Sequence, residues 1–259
     1  MADLIEAEAG IEPLAELIRA ADHILMFTGA GISTASGIPD FRGPEGVWKT
    51  KTPVFYQAFM TDHEARVEYW QQKAEGTAVL DAATPNAVHR AIVELERSGK
   101  VELVVTQNVD GLHHEAGTAP EHLVEIHGTT REIECQTCRE RSAPEPHLES
   151  FAETGEPPLC HCGGFLKPAT ISFGQQLNAG DVARAFETAK RADLVIALGS
   201  TLGVTPAADI PLEAAASGAG YAIVNRGATE HDGLPLVTLR IEGDVGAVFP
   251  PAVQLALQE

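Results

Sequence analysis

Apolar runs typical of buried strands alternate with helix-like segments along most of the chain. HILMF begins at His23, VELVVT at Val101, ADLVIALG at Ala192, YAIVN at Tyr221 and PLVTLRI at Pro235. Such runs, rich in β-branched residues, are typical of strands that are buried on both faces of a parallel sheet. The order of strands and helical segments predicts an α/β fold with a mostly parallel sheet and helices on both faces.

Two helical segments are clear from the pattern. Residues 12–21 place leucine, isoleucine and alanine at the spacing of one helix face. The pattern of residues 83–100 predicts a second helix. Thr84 is its predicted cap, Pro85 lies in its first turn and Gly99 ends it.

Two stretches interrupt the alternation. Residues 44–83 hold six of the 14 aromatic residues without strand alternation, which predicts a helical insertion. Residues 131–166 hold all the cysteines and several turn signals, which predicts a metal-binding module. The remaining segments, 1–43, 84–130 and 167–259, are assigned to one large domain.

Polar and glycine-rich clusters follow the predicted strands, at residues 28–43, 106–111, 199–205 and 225–227. In open parallel sheets, ligands bind beyond the carboxyl ends of the strands. These four clusters therefore define the predicted site.

The first cluster, TGAGISTASGIPDFRG, contains a glycine turn. Gly29, Ala30 and Gly31 directly after a strand allow phosphate groups to approach bare backbone N–H groups. The dinucleotide fingerprint requires glycine where this chain has Thr34, and it also requires an acidic residue about 20 positions further on, which is missing. The match to a hydride-transferring dehydrogenase is weak, and an ordinary glycine turn is the alternative.

The second cluster ends a predicted strand with Gln107, Asn108 and Asp110. Buried amides and carboxylates are costly unless they bind something, although a capped turn is the alternative. His127, in the segment EIHG, lies near another predicted strand end. Histidine is the usual general base at neutral pH, and a structural histidine is the alternative.

The four cysteines form a CxxC pair, Cys135 and Cys138, followed by a CxC pair, Cys160 and Cys162. Four thiolates predict one closed, structural Zn²⁺ site, with His161 as a competing ligand. A redox pair and inert thiols are the alternatives.

The chain of 259 residues has a formal net charge of −19. This acidity disfavours direct nucleic-acid binding, which requires Lys and Arg to neutralise phosphates. The sequence shows no apolar run long enough for a membrane span and no signal-peptide pattern, so we expect a cytoplasmic protein without a membrane partner.

Taken in order, these segments resemble the sirtuin family of NAD-dependent protein deacylases. The matching pieces are GAGISTASGIPDFRG, TPNAVH, TQNVDGLH, IHG, the two cysteine pairs, ISFGQ, GSTLGVTPAA and IVNRG. They extend from residue 28 to about 227, and the combination of the first, third and fourth is highly specific.

The resemblance implies a Rossmann-like NAD-binding domain and a small domain made of a helical insertion and a zinc-binding module. It implies an enzyme that consumes NAD to release nicotinamide, acyl-ADP-ribose and free lysine from acylated-lysine segments of proteins. His127 would deprotonate the ribose, with Asn108 as the second catalytic residue. The implied NAD-binding residues are Gly29, Ala30, Gly31, Ser33, Asp40, Phe41, Arg42, Gln107, Asn108, Asp110, Gly199, Ser200, Thr201, Asn225 and Val245.

By the same resemblance, the substrate peptide would lie as a strand against Phe173, Gly174, Gly203 and Val204. The chain departs from the family here, because Ser172, Gln175 and Lys167 replace an apolar, an acidic and an arginine residue. The Tyr-x-x-Arg pair of desuccinylating members is not found in VWKTKTPVFYQAF, which favours acetyl or another uncharged acyl group. The alternatives are a mono-ADP-ribosyltransferase or long-chain deacylase of the same family, and a non-catalytic zinc-containing interaction module.

Overall fold

The computed structural model describes residues 4–40, 46 and 51–258. Its strands are β1 (Leu4–Glu6), β2 (Ile24–Thr28), β3 (Val101–Thr106), β4 (Leu123–Glu125), β5 (Gly128–Cys135), β6 (Arg141–Ser142), β7 (Leu166–Thr170), β8 (Leu194–Leu198), β9 (Gly220–Asn225) and β10 (Leu239–Glu242). Its α-helices are α1 (Ala7–Ala20), α2 (Tyr56–Thr61), α3 (His63–Ala82), α4 (Ala87–Arg97), α5 (Leu112–Ala116), α6 (Glu145–Thr154), α7 (Ala179–Ala189), α8 (Asp209–Ala216) and α9 (Val245–Leu257). Among these described residues, no helix has the length and apolar character needed to cross a bilayer.

Seven strands form one sheet in the order β1-β10-β9-β8-β2-β3-β4. Every neighbouring pair in this sheet is parallel, which confirms the predicted mostly parallel sheet. After β2, the chain adds β3 and β4 on one side of this strand and later adds β8, β9 and β10 on the other side. A crevice forms at such a switch point, beyond the carboxyl ends of these strands.

Helices cover both faces of this sheet. Alternate residues of β2 point to opposite faces, so that Ile24 and Met26 join one buried cluster and Leu25 and Phe27 join the other. The first cluster packs against α1, α4 and α9, and the second packs against α7 and α8. The two apolar faces explain why the central strands read as continuous apolar runs.

A second, smaller unit joins the helical insertion to the cysteine-containing segment. Strands β6, β5 and β7 form an antiparallel sheet that packs with α2, α3 and α6. Trp70 and Phe59 of the insertion share one buried core with Ile133, Phe151 and Leu166. The indole Nε1 of Trp70 donates a hydrogen bond to the carbonyl of Leu166 over 3.0 Å.

The start of α4 differs from the prediction. Asn86, rather than Thr84, caps the helix, because its side-chain oxygen accepts from the backbone N–H of Val88 at 2.9 Å. His89 completes a reciprocal capping box by accepting from the backbone N–H of Asn86. The predicted end is confirmed, since Gly99 follows the helix with a φ of +80°.

Candidate functional site

A cavity of about 1370 Å³ lies between the carboxyl ends of β2, β3, β8 and β9 and the smaller unit. Most of the described residues predicted for the site line it: Gly29, Ala30, Gly31, Asp40, Gln107, Asn108, His127, Phe173, Gly174, Gly199, Ser200, Thr201, Val204, Asn225 and Val245. Three predicted residues, Ser33, Asp110 and Gly203, are not part of the lining. Phe41 and Arg42 lie outside the described residues.

Backbone contacts join the loops that follow β2 and β8. The backbone N–H of Gly31 donates to the carbonyl of Gly199 at 2.8 Å. A Cβ atom on Gly31 would lie 2.7 Å from the Cα of Gly199, and one on Gly29 would lie 2.7 Å from its carbonyl oxygen. Gly199 also has a φ of +61°. These glycines therefore let the two loops pack together. Their N–H groups are not bare, contrary to the expectation from the sequence, because those of Gly29, Gly31 and Gly199 donate to the carbonyls of Leu198, Gly199 and Val224.

The side chain of Asn108 is held by Gly29 and by Ser33, which is itself bonded to Asp110. The side-chain nitrogen of Asn108 donates to the carbonyl of Gly29 and to the hydroxyl of Ser33, each at 3.1 Å. The Ser33 hydroxyl donates to Asp110 at 2.7 Å, and Asp110 also accepts from the backbone N–H of Leu112. Since both N–H groups of the Asn108 amide are used internally, the network fixes the amide's orientation at the cavity wall.

Gln107 links the ends of β3 and β8. Its side-chain nitrogen donates to the hydroxyl of Ser200 at 2.8 Å, and its backbone N–H donates to the carbonyl of Thr28. Ser200 in turn accepts from the backbone N–H of Leu202. The polar residues at neighbouring strand ends thus form one connected wall.

His127 lies where β4 passes into β5. Its ring Nδ1 is 3.2 Å from the carbonyl oxygen of Gln107, and its own carbonyl accepts from the backbone N–H of Ile171 at 2.7 Å. A carbonyl only accepts, so this contact requires the proton on Nδ1 and leaves the lone pair of the neutral ring on Nε2. Gly128 follows with a φ of +73°, where a Cβ atom would collide with the carbonyl of Ala169.

Two further histidines lie buried below this wall. Burial lowers the pKa of His113 to about 3 and that of His89 to about 4, so both stay neutral at physiological pH. Nε2 of His113 is 3.0 Å from the hydroxyl of Thr28, the last residue of β2. Their rings pack edge to face with centroids 5.1 Å apart. These are packing residues, and they support the strand end.

The smaller unit contributes cavity residues that the sequence did not reveal. Tyr69, Gln72 and Lys73 of α3 line the cavity on the side opposite the sheet. Their spacing of three and four residues places them on one helix face, which is the signal available in the sequence. The hydroxyl of Tyr69 is 3.0 Å from that of Thr170, and burial raises the pKa of Tyr69. Burial lowers the pKa of Lys73.

The four cysteine sulfur atoms lie within 4.8 Å of one another. The Sγ atoms of Cys135 and Cys162 are 3.5 Å apart, and those of Cys138 and Cys160 are 3.7 Å apart. Tetrahedral zinc with Zn–S bonds of about 2.3 Å places its sulfur ligands about 3.8 Å apart, so the donor set fits Zn²⁺. His161 pairs with Glu140 at 3.0 Å, outside the four-sulfur group.

A family model described as the Sir2 family matches residues 29–206. The chain is 40% identical to NAD-dependent protein deacetylase 1 of Bradyrhizobium diazoefficiens, over 96% of this chain and 97% of that protein. It is 36% identical to an NAD-dependent protein deacetylase of Haloarcula marismortui, over 97% and 96% of the two chains.

The chain is also similar to solved structures of Sir2 proteins. One similar structure contains Sir2 with a p53 peptide and NAD⁺, with a TM-score of 0.81 and 33% identity over 95% of each chain. Another contains Sir2 with a deacetylated p53 peptide and 3′-O-acetyl-ADP-ribose, with a TM-score of 0.85 and 34% identity over 94% of this chain and 97% of that one.

Proposed function

Since this chain belongs to the Sir2 family of NAD-dependent protein deacetylases, we propose that its cavity holds NAD and an acylated lysine together and transfers the acyl group. NAD and one water molecule are consumed: the bond between nicotinamide and the ribose breaks, the ADP-ribosyl group accepts the acyl group, and nicotinamide, acyl-ADP-ribose and free lysine are released. The observation that carries the proposal is the convergence of Asn108, Gln107 and His127 with the glycine turn in one cavity.

The wall at the strand ends is the proposed NAD site. The turn Gly29–Gly31 and the facing Gly199 line the cavity without bulky side chains, which lets the phosphates approach the backbone closely. Asn108, with its amide fixed by Ser33, would bind the nicotinamide amide. Ser200, Thr201, Asn225 and Val245 line the cavity on the side proposed for the adenosine, and Asp40, Phe41 and Arg42 are proposed to close over NAD.

His127 is the proposed general base. The hydrogen bond from Nδ1 to the carbonyl of Gln107 keeps the lone pair on Nε2. A neutral imidazole in this tautomer accepts a proton from a ribose hydroxyl and makes that oxygen nucleophilic towards the acyl carbon. The same contact fixes the plane of the ring, so that the base does not have to be oriented during the reaction.

The peptide side of the cavity is proposed to lie between residues 172–174 and 203–204. Phe173, Gly174 and Val204 line the cavity here. The backbone of Phe173 is fixed by a hydrogen bond from the N–H of Tyr56 to its carbonyl, at 2.9 Å. An extended peptide between two such segments gains affinity from backbone hydrogen bonds, whatever its sequence.

Zinc is proposed to have a structural role. Cys135, Cys138, Cys160 and Cys162 would fill all four positions of a tetrahedral ion and leave none for substrate. When bound, the ion cross-links the two cysteine pairs next to the shared core of the smaller unit, where Cys135 is fully buried.

We also propose the division into a large domain of residues 1–43, 84–130 and 167–259, a helical insertion of residues 44–83 and a zinc module of residues 131–166. A cytoplasmic location is proposed because all four cysteines are free thiols gathered at one metal site. The proposed partners are acylated-lysine segments of proteins.

The test is to incubate the zinc-loaded chain with NAD and an acetyl-lysine peptide and to separate the products by chromatography. We expect nicotinamide release that depends on the peptide, with acetyl-ADP-ribose formed in equal amount. His127→Ala should lower kcat by at least about 100-fold. The matched control is His23→Ala, an exposed histidine next to the opposite, amino-terminal end of β2. Wild-type kcat in His127→Ala, or nicotinamide release without a peptide requirement, would overturn the proposal.

A further inference from the structure

Lys167 is a fully buried lysine, the second residue of β7, the strand that leads into residues 171–175. Its Nζ donates to the carbonyls of Pro168 at 3.1 Å and Thr170 at 2.5 Å, and to the side-chain oxygen of Gln175 at 3.4 Å. An ammonium group has three N–H donors and no acceptor, so these three oxygens use all of them. All three acceptors are uncharged.

The surroundings of Lys167 do not neutralise its charge. Among the described residues, no carboxylate lies within ion-pair distance of it, and its partner in the sheet, Glu134, already pairs with Arg139 and Arg141 at 2.9 Å each. The ring centroid of Tyr69 lies 5.6 Å from Nζ. Burial lowers the pKa of Lys167 to about 7, with Glu134 acting to raise it and Arg139 to lower it.

Gln175 connects this cation to the edge of the cavity. Its side-chain oxygen accepts from the backbone N–H of Ser172 at 3.1 Å as well as from Lys167. Its backbone N–H donates to the carbonyl of Ser172 at 2.9 Å. The side chain of Gln175, which is bonded to Lys167, therefore stabilises the turn that contains Phe173 and Gly174.

We propose that Lys167 is a positioning residue for the substrate, whose ammonium group acts through Gln175 to hold residues 172–174 in the conformation that receives the acyl-lysine peptide. The inference rests on the proposed function, which places the peptide against this segment. When Lys167 loses a proton, its amine keeps only two N–H donors. The contact to Gln175 is the longest of the three, and we expect it to be the one that is lost. Peptide affinity should therefore weaken as the pH rises through neutrality.

The experiment measures the Kd of a fluorescein-labelled acetyl-lysine peptide by fluorescence anisotropy, without NAD, from pH 6 to 9. For the wild type, Kd should rise several-fold across this range. Gln175→Leu should raise Kd at pH 6 by about tenfold, as expected for a lost hydrogen bond to a charged group. Its Kd should then no longer depend on pH. Lys167→Met should behave in the same way, and Lys190→Met, at an exposed lysine, is the matched control.

Gln175→Glu gives the sharpest result. A carboxylate beside Nζ favours the ammonium form, so the rise in Kd should move to higher pH than in the wild type. Gln175 lies on a half-buried loop, so its variants test the idea even if Lys167→Met does not fold. Wild-type affinity in Gln175→Leu at pH 6, or an unshifted pH profile in Gln175→Glu, would overturn the inference. Failure of the proposed function would appear separately, as the absence of peptide-dependent nicotinamide release from the wild type.

Discussion

Glu125→Gln is expected to stabilise the protein, and to do so more strongly as the pH rises. Glu125 ends β4, and burial raises the pKa of its carboxyl group from 4.5 to about 7. Arg131 acts in the opposite direction, and Asp110 adds to the rise. His114 lies 3.4 Å away, and burial lowers the pKa of its imidazole.

The sign follows from proton linkage. The folded protein holds this proton more tightly than the unfolded chain, so stability falls as the pH rises from 4.5 through about 7. At about 1.4 kcal/mol for each tenfold change in the proton equilibrium, ionisable Glu125 costs about 1 kcal/mol at pH 5 and about 3 kcal/mol at pH 8. Glutamine has nearly the same shape and does not ionise, so the variant should avoid this loss.

The assay is urea unfolding followed by tryptophan fluorescence at pH 5, 6, 7 and 8, with the wild-type free energy subtracted from that of the variant. Subtraction removes the contributions of His89 and His113, whose lowered pKa values affect both proteins equally. Glu121→Gln, at an exposed acid near the start of β4, is the control and should show no such trend. A difference that stays flat from pH 5 to pH 8 would refute the claim that burial keeps Glu125 protonated.

Two more predictions concern the NAD side and the metal. Gly31→Ala should raise the KM for NAD by at least about tenfold, because the new Cβ would lie 2.7 Å from the Cα of Gly199 and push the two loops apart. Gly76→Ala is the control, since nothing lies within 4 Å of that helical position; it should leave KM unchanged and add about 0.5–1 kcal/mol of stability. Cys138→Ser should lose bound zinc, measured by plasma mass spectrometry, with a lower Tm and loss of nicotinamide release. An unchanged Tm after zinc loss would contradict the structural role.

The sequence predicted the central strands because each is buried on both faces and carries a nearly continuous apolar run. It missed β1, which is three residues long and lies at one edge of the sheet. Edge strands of this length carry too few residues for a pattern to emerge. It also predicted Thr84 as the cap of α4. Two side chains that can cap a helix, Thr84 and Asn86, lie close together in the sequence, and only the fold shows that Asn86 is the cap.

For the candidate site too, some residues could be predicted from the sequence and others could not. Residues at the ends of β2, β3 and β8 were predictable, because parallel strands bring their carboxyl ends to one edge. Ser33 and Asp110 were predicted to bind NAD; neither lines the cavity, and Ser33 bonds to both Asn108 and Asp110. Tyr69 and Lys73 were missed because the face that α3 turns towards the cavity depends on how the smaller unit packs, which is not a local property.

The two sides of the cavity are built from different parts of the chain, and this has a consequence for specificity. The proposed NAD side is fixed by backbone contacts between loops of one sheet, among them the packing of Gly31 on Gly199. The proposed peptide side is held by Lys167 of β7 and by Gln175 in the loop that follows this strand. The hydrogen bonds described for these two groups share no partner, so changes on each side should act independently. Substitutions of Lys167, Ser172 and Gln175, the three departures from the family pattern, are therefore expected to change peptide affinity while leaving NAD affinity unchanged.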